Sequence, residues 1–529
     1  MKGFIRIIAI MLCAVLIFSC AGCNSNASTA DKNIRINLNS MPTNLDPQLA
    51  YTDEELLIVR NCFEGLFRID GGNVVPAACE KYSVSEDGLT YTFTLKEGLK
   101  WSDGSDLEAE DFRFGLIRAL RPETLCPDAS LLYCIKNSAE VHSGAVSEDA
   151  LGIRIDSEGR LVIELHQPDN DLLETLTHAM AMPCDRELFE KAGGRYCMTP
   201  ALTMSNGPFA LSKWTESTIK FARNGEYVGK FTAMPASFTL TFGGSDSERI
   251  EKINTDFTDI ALISTQSVSA AEDALLETVC FYNTVWALVI NPDANVVGDP
   301  AVSAALKKAI GSDTVKEVLP DHFRLTDRMI ADDLLVDSKS YRNYAGESGT
   351  SRSDASSARS DLIAALKAYS GRLPTVTLKY ADTDGMKHTA THIAQQWAKE
   401  LGAVVNIEGL SQSDLQTAMA AGDYQIALCP ISTDNGKAVS AISRFATIDN
   451  RNIFGFSNAD VDRKINELSS IDEPQALADA LKGIDRLICA DSHILPLAQS
   501  GKCYAVSGSV VGVEFDCNSG GMALYNAGK

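Results

Sequence analysis

Long apolar runs are missing from this 529-residue chain once its first two dozen residues are passed. A membrane-spanning helix needs about 20 such residues, so a polytopic membrane protein is excluded. Basic residues are outnumbered: 47 Lys and Arg stand against 70 Asp and Glu, a formal net charge of -23. A surface of that sign repels phosphate backbones and anionic headgroups. It excludes nucleic acid as a partner and electrostatic adsorption as a route to a membrane. Histidine is sparse, with seven residues. His388 and His392 have the i, i+4 spacing of metal ligands, but they lie off the apolar stripe of their helix, no Glu follows His388, and no third ligand is evident. A solvated helix face is the reading, and neither a metal nor a cofactor is expected. The chain also lacks a Walker A loop, a G-x-S-x-G elbow and an H-E-x-x-H helix. No catalytic residue is nominated, and the expectation is a protein that is not an enzyme. A secreted glycosidase stays as the enzyme alternative, because so many carboxylates would supply an acid pair to any search. No C-x-x-C occurs beyond residue 23, which removes support for a zinc ribbon or a thioredoxin-like site.

What is present begins with an export signal. Lys2 and Arg6 form a basic start, Ile7 to Phe18 is apolar, and small residues follow. The run is too short to span a bilayer and reads as a signal peptide over residues 1–22. Ser19-Cys20-Ala21-Gly22-Cys23 resembles a bacterial lipobox, which makes Cys23 the expected lipidation site. Cys20 sits where that pattern usually has Leu, and it remains the alternative after Ile17-Phe18-Ser19. Residues 24–33 are small and polar, as a tether between lipid and folded body would be. The expected location is the extracytoplasmic face of a cell membrane, held there by the lipid alone. That face is the outer surface of a Gram-positive bacterium or the periplasm. Of the 14 cysteines, Cys13, Cys20 and Cys23 fall within the leader and its end. An odd number is left, so at least one thiol stays free or pairs outside the chain.

The remaining length is too great for one hydrophobic core and calls for two or three domains. Ile34, Ile36 and Leu38 alternate as a strand. Glu54 to Phe67 reads as a helix with Leu57, Ile58, Cys62 and Leu66 on one face. Tyr91, Phe93 and Leu95 alternate with threonines, Ala109-Glu110-Asp111 opens an amphipathic helix, and residues 153–165 form a hairpin. Further on, a helix is expected over Met386–Leu401, with strands before it at Val376–Tyr380 and after it at Val404–Ile407. Strands and helices interleave without repeats, which fits an α/β architecture.

These residues carry a resemblance to the large solute-binding proteins of ABC transporters, in the oligopeptide, dipeptide and nickel group. The match runs through Leu45-Asp46-Pro47 and Glu64-Gly65-Leu66-Phe67, then Ser85 to Leu95, Lys100-Trp101-Ser102-Asp103-Gly104 and Ala109 to Phe112. It continues at Ser205-Asn206-Gly207-Pro208-Phe209, Gln396-Trp397, Gly422-Asp423-Tyr424 and Gly455-Phe456-Ser457-Asn458. The resemblance implies a periplasmic-binding-protein-like fold of the large three-domain type II variety, with two lobes closing over a ligand cleft. It places domain I at 34–47, 170–275 and 490–529, domain II at 48–169 and domain III at 276–489. It implies a monomer that captures short peptides and delivers them to permease subunits of an ABC importer. A signalling-peptide receptor, or a binder of an oligosaccharide or metal chelate, would use the same fold. The implied ligand-binding residues are Met41, Thr43, Asn206, Trp286, Thr433 and Asp434. Asp434 falls where the family's acid meets a peptide amine, although Asn435-Gly436 also suits a surface turn. Trp286 either lines the pocket or fills the core between domains. The resemblance also suggests a disulfide between Cys280 and Cys429.

Overall fold

The computed structural model describes residues 33–529 apart from 71–72, 170, 311–314, 321–322, 338, 350–354, 384, 434–435, 450, 472 and 516–520. Among the described residues no helix is long and apolar enough to cross a membrane. The alternation at Ile34, Ile36 and Leu38 forms β1, Asn33–Leu38, with all three side chains buried. The next element, α1, spans Asp53–Cys62 and opens on a capping box between Thr52 and Glu55. The sequence suggests a helix running to Phe67, but the chain leaves it at Phe63 in an extended conformation. The reason is tertiary. The Asn206 side chain accepts from the Glu64 N–H at 3.0 Å and donates to the Glu64 carbonyl at 2.7 Å. Both Glu64 backbone groups are thereby taken from the helix ladder.

A four-stranded antiparallel sheet joins Cys79–Val84, Thr90–Leu95, Leu161–Glu164 and Ile153–Ile155 in that order. Helix α2, Ala109–Leu120, belongs to the same hydrophobic core. The main sheet is larger. Its strands, in chain order, are β1, β2 (Phe209–Trp214), β3 (Thr218–Arg223), β4 (Ser237–Phe242), β5 (Ile260–Ile263) and β6 (Glu277–Ile290). They continue with β7 (Val376–Ala381), β8 (Val405–Leu410), β9 (Ile426–Ser432) and β10 (Ile494–Val506), and a short strand, Arg324–Leu325, pairs β10 off the main path. In space the order is β8-β7-β9-β6-β10-β5-β1-β4-β3-β2. The expected helix over Met386–Leu401 is present and ends at Gly402 with φ +71, the left-handed conformation a helix end favours.

Two strands hold two cores together. One core gathers residues from Ile34 to Ile260 with the chain end from Tyr504 to Ala527, and the other runs from Val285 to Ala498. Only β6 and β10 among the main-sheet strands contribute to both sides. Their register breaks between Tyr282 and Thr284, leaving Asn283 as an extra residue opposite Gly501 and Ser500. A β-carbon at Gly501 would stand 1.6 Å from the Phe281 carbonyl oxygen, so only glycine admits this approach. Gly501→Ala is therefore expected to destabilise the protein by about 1–3 kcal/mol through overpacking at the crossover. Thermal denaturation measures it, and an unchanged midpoint would mean the strands separate freely there. On the first-core side of the break, Cys280 is bonded to Cys503 across paired strands. This corrects the suggested Cys280–Cys429 pair. Cys429 lies on β9, opposite Ala287 and beyond the break, where it is free and buried.

Buried charge also divides between the cores. In the first, Asp46 and Arg118 are each 3 % exposed. The Arg118 guanidinium donates to Asp46 Oδ1 at 2.8 Å, to Gln48 Oε1 at 2.6 Å and to Asp46 Oδ2. In the second, the Asp485 carboxylate accepts the Met329 N–H at 2.8 Å. Burial pushes its pKa from 3.8 up to about 6. A carboxyl raised on folding favours the folded state below its unfolded value and loses that contribution as pH rises through the folded one. Asp485→Asn keeps an acceptor for Met329 and cannot ionise. It is expected to stabilise the second lobe at pH 7.5 by about 1–3 kcal/mol, the linkage cost of ionising a carboxyl raised from 3.8 to about 6. Denaturant titrations at pH 4.5 and 7.5 test this, and a gain of equal size at both pH values would rule out ionisation as the cause.

Candidate functional site

The two lobes face each other across a cleft that holds two cavities. One, of about 380 Å³, has Asp169, Asp171, Glu174 and His178 on the first lobe and Lys437 and Arg451 on the second. The other, of about 480 Å³, lies between Pro127, Asp128 and Leu131 and the opposing Gln416, Met419 and Arg451. A third, of about 260 Å³, enters the first lobe and shares Glu174 and His178 with the first cavity.

The acidic wall is built by a short segment. The Tyr91 hydroxyl donates to the Asp169 carbonyl at 3.0 Å, and the Asp169 carboxylate accepts the Asp171 N–H at 2.8 Å. Leu172 is buried in the first core and anchors the turn that carries Glu174. Asp171 opens to the cavity, but surrounding protein displaces bulk water. That desolvation first, then the charges of Glu174 and Asp169, raises its carboxyl above the usual range. On the opposite wall, Arg451 donates to the Asp449 carboxylate at 2.9 Å and 2.6 Å. Burial would raise the Asp449 carboxyl; the Arg451 contacts overcome it and hold it below its ordinary range. Between the walls the Lys437 ammonium donates to Glu174 Oε2, an ion pair that crosses from one lobe to the other. With Asp169 and Asp171 on one wall and the Arg451–Asp449 pair on the other, the cleft offers both signs of charge to a ligand that carries both.

The residues nominated from the sequence fall in several places. Met41 is half-buried against the first core, and the exposed Thr43 hydroxyl donates to Glu55 Oε1 at 3.2 Å. Neither lines the three cavities. Asn206 is 4 % exposed and its amide is engaged by the Glu64 backbone, so it is a clamp on α1 rather than a ligand contact. Trp286 is 2 % exposed, its indole N–H donates to Ser500 Oγ at 3.0 Å, and its ring meets Phe323 edge-on. Of its two roles, filling the core is the one the geometry supports. Thr433 follows β9, half-buried, near the approach to Lys437. Asp434 lies outside the described residues, as do Cys20 and Cys23. Among the described residues no group of three or more His, Cys, Asp or Glu stands close enough to hold a metal ion. His392 meets Gln396 one turn along its helix.

Glu174, Lys437 and Arg451 were not singled out from the sequence. The available signal was the crowding of Asp169, Asp171 and Glu174 around Leu172-Leu173, three acids flanking an apolar pair. Nothing local marks Lys437, because its partner is far away in the chain.

The model described as bacterial extracellular solute-binding proteins, family 5 Middle, matches residues 73–452. The chain is 23% identical over 525 residues to the oligopeptide-binding protein OppA of Bacillus subtilis (strain 168), covering 94% of each chain. It is 25% identical over 478 residues to the probable deoxycholate-binding periplasmic protein YgiS of Escherichia coli (strain K12), covering 88% of this chain and 87% of that one. Among solved structures, the substrate-binding domain of an oligopeptide ABC transporter from Bacillus anthracis superposes with a TM-score of 0.74 at 23% identity. That superposition covers 94% of this chain and 99% of the other.

Proposed function

This chain belongs to the bacterial extracellular solute-binding proteins of family 5, and from that membership we propose that it captures short peptides outside the cytoplasm for the permease of an ABC importer. The observation that carries this reading is the interlobe cavity with Asp169 and Asp171 on one wall and Arg451 on the other, its walls joined by the Lys437–Glu174 pair. A peptide in its usual charge state has an ammonium and a carboxylate, and both find a complementary side. The relative named for oligopeptides, matched over nearly its whole length, supports the same class of ligand. The lobes, linked by β6 and β10, close on the ligand and exclude water. Each charged contact then gains strength in the lower dielectric.

The domain limits proposed are 34–47, 170–275 and 490–529 for domain I, 48–169 for domain II and 276–489 for domain III. Asp434 is proposed to stand near the peptide amine with Thr433 beside it in the chain, and Met41 and Thr43, outside the three cavities, are proposed to border the ligand through their backbones. The protein acts as a monomer that binds without turnover and is held to the membrane by acylated Cys23. The disulfide between Cys280 and Cys503 suits an exported protein.

Native mass spectrometry of protein from its own host, followed by calorimetry with the released ligand, tests the reading. Recovery of a chemically unchanged peptide that rebinds with one-to-one stoichiometry is expected. A co-purifying sugar or metal chelate, with no binding across a mixed peptide library, would sink the peptide assignment.

A further inference from the structure

The cavity that enters the first lobe holds an unusual arginine. Leu56, Val59, Phe63 and Met182 give it an apolar wall, and Arg60 and Arg68 stand on the same lining. Arg68 is 7 % exposed. Its guanidinium lies 4.0 Å from the centre of the Phe231 ring and 4.9 Å from that of Tyr525. The Glu64 carboxylate stands 3.8 Å from Nη1, beyond hydrogen-bond reach, and accepts the Tyr227 hydroxyl instead. Arg68 Nε and Nη1 have no hydrogen-bond partner among the described residues. Burial lowers the affinity of this guanidinium for its proton, and Glu64 only partly opposes it. A guanidinium has five N–H donors, and unpaired buried donors are strongly disfavoured. Asp128 and Glu174 are the other acids of this lining, and Glu174 is paired with Lys437 across the cleft.

We propose that this cavity is a side pocket of the ligand cleft that receives a carboxylate carried on an apolar group. The carboxylate pairs with Arg68, with Arg60 adding positive charge at the lining, and the apolar part packs against Leu56, Val59, Phe63 and Met182. The volume of about 260 Å³ falls just below the range of whole small-molecule pockets, about 300–1,000 Å³. It therefore suits one residue-sized group rather than an entire ligand. The inference rests on the peptide reading. There the group is a carboxyl-terminal residue with an aliphatic side chain, or an acidic side chain within the peptide.

Calorimetry with Ala-Ala-Ala-Leu as free acid and as carboxyl-terminal amide tests it. The free acid is expected to bind at least about tenfold more tightly, the scale of a charge-assisted hydrogen bond. Amidated Ala-Ala-Glu-Leu and Ala-Ala-Gln-Leu form the second arm. A preference for the Glu peptide, with no difference between the first pair, assigns the carboxylate to a side chain. Arg68→Lys keeps a cation but loses the planar fork, and it is expected to abolish whichever preference exists. If that variant does not fold, the half-buried Arg60→Gln carries the test with a smaller loss in the same direction. Equal binding within both pairs overturns the proposal. Hexanoate separates the two readings by thermal shift. If no peptide binds but hexanoate stabilises the native chain and not Arg68→Lys, the pocket stands and the peptide reading falls. If hexanoate also has no effect, the pocket falls with it.

Discussion

Arg118→Met is expected to destabilise the first lobe by about 3–5 kcal/mol, the cost of breaking a buried ion pair from one side. Asp46 and Arg118 are almost wholly enclosed, and the guanidinium bridges both Asp46 oxygens and Gln48 Oε1. Gln48 in turn donates to the Met180 and Met182 carbonyls at 3.3 Å and 2.9 Å. The pair thus ties the segment after β1 to α2 and to residues 180–182. Burial would weaken the Arg118 cation, and Asp46 more than offsets it. Removing the guanidinium leaves a carboxylate with no solvent and no counter-charge. Denaturant titration followed by far-ultraviolet circular dichroism measures the loss. The double variant Asp46→Leu with Arg118→Met is expected to recover much of it, because an apolar pair requires no desolvated charge. A single-variant loss below about 1 kcal/mol would place the pair on the surface in energetic terms.

Lys437→Met is expected to weaken ligand binding roughly tenfold, or about 1–2 kcal/mol. The Lys437–Glu174 contact joins the lobes, with side chains 29% and 13% exposed, so it is neither a free surface pair nor a fully buried one. It favours the closed arrangement, and a ligand that requires closure must supply what the pair no longer contributes. Glu174→Gln is expected to act in the same direction. The exchanged pair Glu174→Lys with Lys437→Glu is expected to restore most of the affinity, which a simple packing defect would not allow. Calorimetry with the host-derived ligand reads all three variants. Failure of the exchange to rescue binding would mean that one of the two side chains contacts the ligand directly.

How far the sequence reached depended on the range of each interaction. The alternation at Ile34, Ile36 and Leu38 and the stripe over Met386–Leu401 are local patterns, and both elements form where expected. The end of α1 did not follow its pattern. Leu66 continues the apolar face, yet Asn206, 142 positions away, takes the Glu64 backbone out of the helix. The same contact removes Asn206 from the ligand-binding candidates. The disulfide correction has a similar origin. Cys280, Cys429 and Cys503 all lie on adjacent strands of one sheet. Only the register places Cys503 opposite Cys280 and Cys429 opposite Ala287.

By itself the sequence determined the family, the mixed α/β class and the strongly acidic surface, because composition, periodicity and motif order are properties of the chain. It also marked Asp46 and Glu64 as parts of recurring motifs without saying what they hold. Tertiary structure alone decided that Asp46 locks onto Arg118 and that Gly501 is required where β10 crosses β6. It alone brought Glu174 to Lys437 and set Arg68, with its Nε and Nη1 buried and unpartnered among the described residues, in the lining of a cavity. Each of these joins groups far apart in sequence, and their energies depend on distance and on exclusion of water. Neither quantity exists until the two cores have formed.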